Sequence, residues 1–352
     1  MENQVKKAKM EISEGVLFGM GNPLLDICAT VDDDFLKKYD LKANDAILAE
    51  DKHKPLYQDM LDTYKSVDYI AGGATQNAIR VATWLLGTPQ STTFMGCVGK
   101  DKFGEILKSK AEGDGVNVKY QYNEKESTGT CGVLLTGENR SLCANLAAAN
   151  CFTVDHLDVP DNWALVEKAN YYYIAGFFLT VCPPAIQKVA KHACEKNKTF
   201  MMNLSAPFLC QFFKEPMMAA LPYVDILFGN ETEAATFSKE QNFDTEDVKE
   251  IALKAAALTK ENKSRSRMVV FTQGASPVLI AHEGKVTEYP VIPIAEKDMV
   301  DTNGAGDAFV GGFLAQYVLG KPVEECVRCG HYAANIVIKR SGCTYPDKPD
   351  FK

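Results

Sequence analysis

The feature that most constrains the fold is an alternation in the second half of the chain. Short apolar runs stand at Tyr171–Ile174, Thr199–Leu204, Val224–Phe228 and Met268–Phe271. Between them, Pro184–Lys196, Ala206–Ala220 and Thr245–Thr259 carry helical periodicity. Apolar runs this short, bounded by turn residues, read as strands buried on both faces. A strand–helix–strand rhythm closes as a mostly parallel sheet with helices on both sides, a three-layer α/β architecture. Ligands in such folds bind outside the carboxyl ends of the strands. Two more helical patterns follow, Asp307–Leu319 and Val323–Lys339.

The first half departs from this rhythm. Thr130–Thr136 and Ser141–Ala144 are strand-like runs joined by Gly137-Glu138-Asn139-Arg140, which reads as a hairpin. Ile27–Val31 and Ala46–Ala49 add two further strands. Together these segments form a small β-rich lid over the mouth of the main sheet. A length of 352 residues alone suggests two domains. No Pro/Ser/Gly-rich linker, repeat or low-complexity run separates them. The expectation is one domain spanning residues 1–352, with a discontinuous lid inserted at about 25–48 and 119–148.

A net charge of -8 and a pI near 5.3 oppose a nucleic-acid partner. The basic run KENKSRSR from Lys260 reads as a solvated loop. Eleven cysteines are scattered and odd in number, and MENQVKKAKMEISEG has no apolar signal segment. Reduced thiols and a cytoplasmic location follow, with a nuclear pool compatible. Cys326, Cys329 and His331 lack a second ligand pair, so the two thiols read as packing rather than zinc ligands. The run YYYIAGFFLTVCPPAI is too short to span a bilayer and is broken by Pro183 and Pro184.

Chemistry concentrates in VDTNGAGDAFVGGFL, Val300 to Leu314. A strand-like run ends in Asp301, a glycine turn follows, and Asp307 opens an apolar helix. The first turn of a helix has unpaired N–H groups and partial positive charge, which suits phosphate. Asp307 reads either as a cap or as a base that takes a proton from an attacking hydroxyl. In FGMGNPLLD, Leu24 occupies the third glycine position of a dinucleotide fingerprint, so that fingerprint is broken. Asn22 and Asp26 remain available, and a carboxylate suits two neighbouring sugar hydroxyls. In AGGATQNAIRVATWLL, Gly72 and Gly73 allow close backbone approach and Asn77 lies one turn into a helix. In LFGNETEAATF, Asn230 and Glu233 share a helix face, as a cap or as part of a Mg²⁺ shell completed by phosphates and water. Arg140 in the hairpin turn is either solvated or reaches phosphate oxygens. No GxxxxGK[ST] loop is present.

DTNGAGDAF together with GGATQNA resembles the ribokinase-like (PfkB) carbohydrate kinase family. GMGNPLLD, AGGATQN, TGTCGVLLTGENRSL, ANLAAANCF, IAGFFLT, NLSAPF, DILFGNETEA and GHYAANIVIKRSGCTYPDKPDF extend the resemblance over nearly the whole chain, in order. They resemble the branch of that family that phosphorylates adenosine. The resemblance implies a ribokinase-like fold and transfer of the ATP γ-phosphoryl group to the adenosine 5′-hydroxyl, with Mg²⁺, in purine salvage. It implies a monomer with no nucleic-acid or membrane partner. By position, Asp307 resembles the base, and Gly304, Ala305 and Gly306 the anion hole, with Arg140 on the phosphate. Asp26, Gly72, Gly73 and Asn77 resemble the ribose set, with Asn22 nearby. Leu24, Cys131, Leu142, Leu146 and Phe178 resemble the substrate pocket around adenine. Asn230 and Glu233 match an N-x-x-E pattern that organises Mg²⁺ through water. Thr272 and Gly274 match the ATP-side loop, and His331 and Asn335 the helix beside the ATP base. The sequence departs at Ala74, where this branch usually carries serine. A backbone contact survives there and a hydroxyl contact does not. The rival readings are a kinase for another nucleoside or a sugar, a non-catalytic nucleotide-binding protein, and an NAD-dependent dehydrogenase.

Overall fold

A computed structural model describes residues 12–42, 46–137 and 139–352. Most of the charged N-terminal segment, part of the expected lid and Glu138 of the hairpin turn lie outside the described residues.

The main sheet has nine strands among the described residues. Seven run parallel, in the order Met268–Gln273, Ile226–Asn230, Thr199–Asn203, Tyr171–Ala175, Leu17–Met20, Thr92–Met95 and Asn117–Val118. Alternate residues feed two cores. Leu17, Tyr173, Met201, Phe228 and Val270 pack on one face; Phe18, Tyr172, Phe200, Leu227 and Val269 pack on the other. This double burial is why the strands read as unbroken apolar runs. The parallel rhythm does not continue to the edge. Ser276–His282 and Lys285–Tyr289 return as antiparallel strands. Gly274, at φ +56, provides a tight turn, so no crossover helix intervenes.

Two other segments differ from expectation. The helix expected over Ala206–Ala220 is two, Pro207–Phe212 and Lys214–Ala220. Pro216 lacks an N–H, and in a continuous helix its ring would meet the carbonyl of Phe212. The run before Asp301 is not a strand. The N–H groups of Val300 and Asp301 donate to the Ile338 carbonyl at 2.8 and 3.0 Å, and Val300 stays exposed.

The lid is a five-stranded sheet in the order Ala46–Leu48, Asn139–Asn145, Thr130–Thr136, Leu24–Thr30 and Val67–Gly72. The hairpin forms as expected. Val67–Gly72, which the sequence reading left unplaced, completes one edge. Gln121–Asn123 instead pairs with Cys97–Gly99 in a separate ribbon, so that part of the 119–148 segment stands apart from the lid sheet.

The helix Ala305–Val318 is buried on nearly every side, as its all-round apolar sequence requires. It lies against the helices Ala74–Leu86 and Val323–Ile338. A Cβ on Gly311 would stand 2.6 Å from the Ala78 carbonyl oxygen, so the absence of a side chain sets how closely the helices approach. Gly311→Ala is therefore expected to destabilise the fold by about 1–3 kcal/mol, despite alanine's better helix propensity. It should appear as a lower urea midpoint at unchanged slope. Gly113→Ala, at a helical glycine with nothing within 4 Å, should leave the midpoint unchanged or raise it.

Candidate active site

The helices Ala74–Leu86 and Ala305–Val318 both begin at the cleft beyond the carboxyl ends of the strands. Each is preceded by a glycine at positive φ, Gly73 at +94 and Gly304 at +75. Gly304 is the N-cap and Asp307 the third helical residue, so Asp307 makes no capping bond to backbone. Its Oδ2 accepts from Asn77 Nδ2 at 3.0 Å instead. Burial pushes the Asp307 carboxyl up to about 7; the Asn77 bond opposes the rise, and the charges of Asp26 and Glu233 add to it. A cavity of about 430 Å³ opens in front, lined by Gly304, Gly306, Asp307, Asn230, Glu233 and Phe177 among others. The Ala305 N–H is turned onto the Thr302 carbonyl at 3.2 Å. Of the three glycine-turn residues, Gly304 and Gly306 present backbone to this cavity.

The lid carries further candidate residues. Asp26 lies on the strand Leu24–Thr30, in register with Ile70 on one side and Cys131 on the other. Burial pushes its carboxyl up to about 6, against the nearby charges of Arg140 and Arg80. Its carboxylate lies against Gly72, where a Cβ would stand 2.6 Å from Oδ1. Gly73 is tighter still, since a Cβ would fall 2.1 Å from the Asn22 carbonyl oxygen. Asn22 donates through Nδ2 to the Ala149 carbonyl at 3.2 Å, and its buried Oδ1 has no partner among the described residues. Leu24 and Leu146 close around Gly129, and Leu142 is half-buried on the neighbouring strand. Cys131 is buried, which raises its thiol well above the usual range.

Two expected positions need correction. Phe178 is fully enclosed in the core, edge-on to Phe152 at 5.4 Å, and does not face the cleft. Phe177 lines the cleft in its place. The two are adjacent in IAGFFLT, and only the turn of the short helix Gly176–Thr180 decides which points inward. Arg140 does not sit in the hairpin turn. It is the second residue of Asn139–Asn145, its side chain is 11% exposed, and it pairs with Asp301. Asp301 also accepts from the N–H groups of Asn303 at 3.0 Å and Gly342 at 2.9 Å. The sequence reading gave Asp301 no role, although it stands in the glycine motif itself.

Asn230 and Glu233 form a reciprocal cap. Asn230 Oδ1 accepts from the Glu233 N–H at 2.8 Å, while Glu233 accepts from the Asn230 N–H at 3.0 Å and from its Nδ2 at 2.9 Å. Both carboxylate oxygens are thus engaged by protein, and burial pushes the group up to about 7. Among the described residues no cluster of three His, Cys, Asp or Glu is placed to hold a metal ion unaided. Cys326 and Cys329 are buried, which pushes both thiols up to about 12. A second cavity of about 590 Å³ adjoins the first through Asn230, Thr272, Thr302, Gly306 and Phe309. Its walls include Thr272, Gly274, Val278, Ile294, His331 and Asn335. Burial lowers the pKa of His331, and Asn335 donates to the Ile292 carbonyl at 3.0 Å.

Two adjoining cavities meet at a helix mouth bearing a carboxylate of near-neutral pKa. Such an arrangement can accommodate two ligands end to end. The signature of the pfkB family carbohydrate kinases matches residues 33–350. Adenosine kinase 2 of Arabidopsis thaliana is 60% identical over 338 residues, covering 96% of this chain and 98% of its own. The adenosine kinase of Anopheles gambiae, solved with P1,P4-di(adenosine-5) tetraphosphate, superposes with a TM-score of 0.87 at 52% identity, covering 96% of this chain and all of that one. The adenosine kinase of Schistosoma mansoni, solved with adenosine in an occluded loop conformation, gives 0.86 at 37% identity, covering 96% and 98%.

The raised Asp307 pKa has a consequence for stability. Between its ordinary value and about 7 the folded chain binds more protons than the unfolded one, so stability falls as pH rises through that window. Asp307→Asn keeps an acceptor for Asn77 and removes this loss. The variant is expected to be more stable than the parent near pH 8, by on the order of 2 kcal/mol after allowance for solvent in the cleft. The gain should shrink towards about pH 4, as read by urea unfolding at both values.

Proposed function

The chain belongs to the pfkB family of carbohydrate kinases, and we propose that it phosphorylates adenosine at its 5′-hydroxyl at the expense of ATP. The observation that carries this reading is Asp307, held by Asn77 at the mouth of a glycine-capped helix between two adjoining cavities. Asp26 receives two ribose hydroxyls, with the backbone of Gly72 and Gly73 against the sugar and the Asn22 Oδ1 open to a donor. Leu24, Leu142, Leu146 and Phe177 enclose the base, where an aromatic face is worth about 1 kcal/mol. Asp307 orients the 5′-hydroxyl and takes its proton as the oxygen attacks. A near-neutral pKa suits a base that must be ionised at neutral pH yet hold a proton. The N–H groups of Gly304, Ala305 and Gly306 face the charge that develops on the transferred group, which requires the Ala305 N–H to leave Thr302. Arg140 exchanges Asp301 for phosphate oxygens as the lid closes.

The ATP base occupies the larger cavity, between Thr272, Gly274, His331 and Asn335. The donor set at Asn230 and Glu233 fits Mg²⁺ held through water, since both Glu233 oxygens are already engaged and Mg²⁺ keeps much of its hydration. Bound with the nucleotide, Mg²⁺ neutralises phosphate charge. The unpaired cysteines fit a reducing, cytoplasmic setting, and in this reading the chain is a monomer whose partners are adenosine and ATP.

The test is ADP release from Mg-ATP with adenosine, inosine, guanosine, ribose or fructose. Adenosine should be strongly preferred. Preference for a sugar would keep the mechanism and overturn the substrate. Asp307→Asn should retain adenosine binding by calorimetry and lose turnover about a hundred- to ten-thousandfold; near-normal turnover would remove Asp307 as the base. Chelation of Mg²⁺ should abolish turnover and leave adenosine binding intact.

A further inference from the structure

One turn beyond Asn77, on the inner side of the same helix, lies Arg80, only 4% exposed. Its guanidinium ties together four segments. Nε donates to Asp114 Oδ2 at 2.6 Å. Nη1 donates to the Ala71 carbonyl at the end of a lid strand, to Asn77 Oδ1 at 3.3 Å and to the Cys343 carbonyl at 3.3 Å. The ring of Tyr345 lies 5.6 Å from the guanidinium carbon, and Trp84 stacks on Tyr345 at 4.8 Å. Burying an arginine is costly unless its donors are met, and here a carboxylate meets Nε while two carbonyls and an amide oxygen surround Nη1.

The amide among those partners matters most. An asparagine amide can face a neighbour with its oxygen or with its NH₂. Facing Asp307 with oxygen would set two acceptors against each other; facing it with NH₂ gives the 3.0 Å bond. A guanidinium only donates, so Arg80 can engage only the Asn77 oxygen. That engagement leaves the NH₂ directed at Asp307. We propose that Arg80 is a positioning residue for the phosphoryl transfer, fixing the Asn77 amide so that it donates to Asp307. The proposal rests on reading Asp307 as the base.

Around Asp307 stand Asn77, Asp26 from the lid, Glu233 from the helix Glu231–Glu240, Tyr173 from the strand Tyr171–Ala175 and Cys343. Around Arg80 stand Asp114, Tyr120, Cys343, Tyr345 and, at longer range, Asp26. Arg80 remains charged among them, since its acidic neighbours outweigh burial. The same charge favours the ionised form of Asp26.

A purely structural clamp would change thermal stability and nothing else. The deciding measurement is kcat and kcat/KM for adenosine against pH, with Tm, for the parent, Arg80→Met, Asn77→Ala and the double variant. Arg80→Met should move the acid limb up by about half a pH unit or more, the equivalent of one weakened hydrogen bond. It should also lower kcat about tenfold at neutral pH. The double variant should be no worse than Asn77→Ala alone, to within about twofold, because both act through one amide. Arg80→Lys, which keeps the charge but reaches fewer acceptors, should recover part of the loss. If Arg80→Met does not fold, Arg80→Lys and Arg80→Gln carry the same pH comparison. A lower Tm with unmoved acid limb and kcat, or losses that multiply in the double variant, would overturn the proposal. Asp307→Asn separates the two ideas. If that variant turns over normally, the base assignment fails whatever Arg80 does. If it is inactive and the Arg80 variants keep the parental pH profile, only the role of Arg80 fails.

Discussion

Everything at the cleft depends on how closely two helices lie. Ala74–Leu86 and Ala305–Val318 touch where Gly311 faces the Ala78 carbonyl, at a separation no side chain would permit. That contact sets the two helix mouths side by side. Asn77 and Asp307, 230 residues apart in sequence, come within a hydrogen bond because both are one turn from those mouths. The lid strand Val67–Gly72 runs straight into the first helix through Gly73, so Asp26 is brought to the same point by strand pairing. Moving the helices apart would separate Asp307 from Asn77 and both from the lid strand that carries Asp26.

The cleft also carries an electrostatic tension. Asp26, Asp307 and Glu233 share one low-dielectric region, and burial raises all three pKa values. Their partners differ, and so do their tasks. Asp26 lies near two arginines and keeps more of its ionised character. Glu233 is occupied by the Asn230 cap. Asp307 has one neutral donor, which leaves it titrating near neutrality. Carboxylates placed in different surroundings thereby acquire different duties. On the proposed function a polyphosphate enters among three acids, and the helix mouths and Arg140 would offset that charge.

Much of this architecture was legible because it follows period and turn chemistry. Parallel strands buried on both faces produce short apolar runs bounded by turn residues, and the lid hairpin carries its own turn. The antiparallel edge was missed because edge strands such as Lys285–Tyr289 are half polar and lack that pattern. The helix break near Pro216 was signalled by the proline but overlooked within a helical period. At the site, glycines and carboxylates stood out because few other residue types serve a backbone approach or a proton transfer. What remained hidden was orientation. Phe177 and Phe178 are chemically identical, and a short helix decides between them. Arg140 looked like a turn residue until the strand was seen to extend past it. Arg80 sat among apolar neighbours on an amphipathic helix, and its partners come from segments that sequence spacing does not connect.

The insertion of the lid has a consequence for how the chain is assembled. The strand Leu17–Met20 is interior to the main sheet, between Thr92–Met95 and Tyr171–Ala175, yet the lid strands Leu24–Thr30, Val67–Gly72, Thr130–Thr136 and Asn139–Asn145 intervene before its second neighbour is made. During synthesis the lid strands are complete in sequence before Leu17–Met20 is flanked on both sides. The lid segment that carries Asp26 is therefore synthesised long before Asp307. Such long-range pairing makes folding slow, and it leaves Leu17–Met20 with an open, apolar edge until Tyr171–Ala175 arrives.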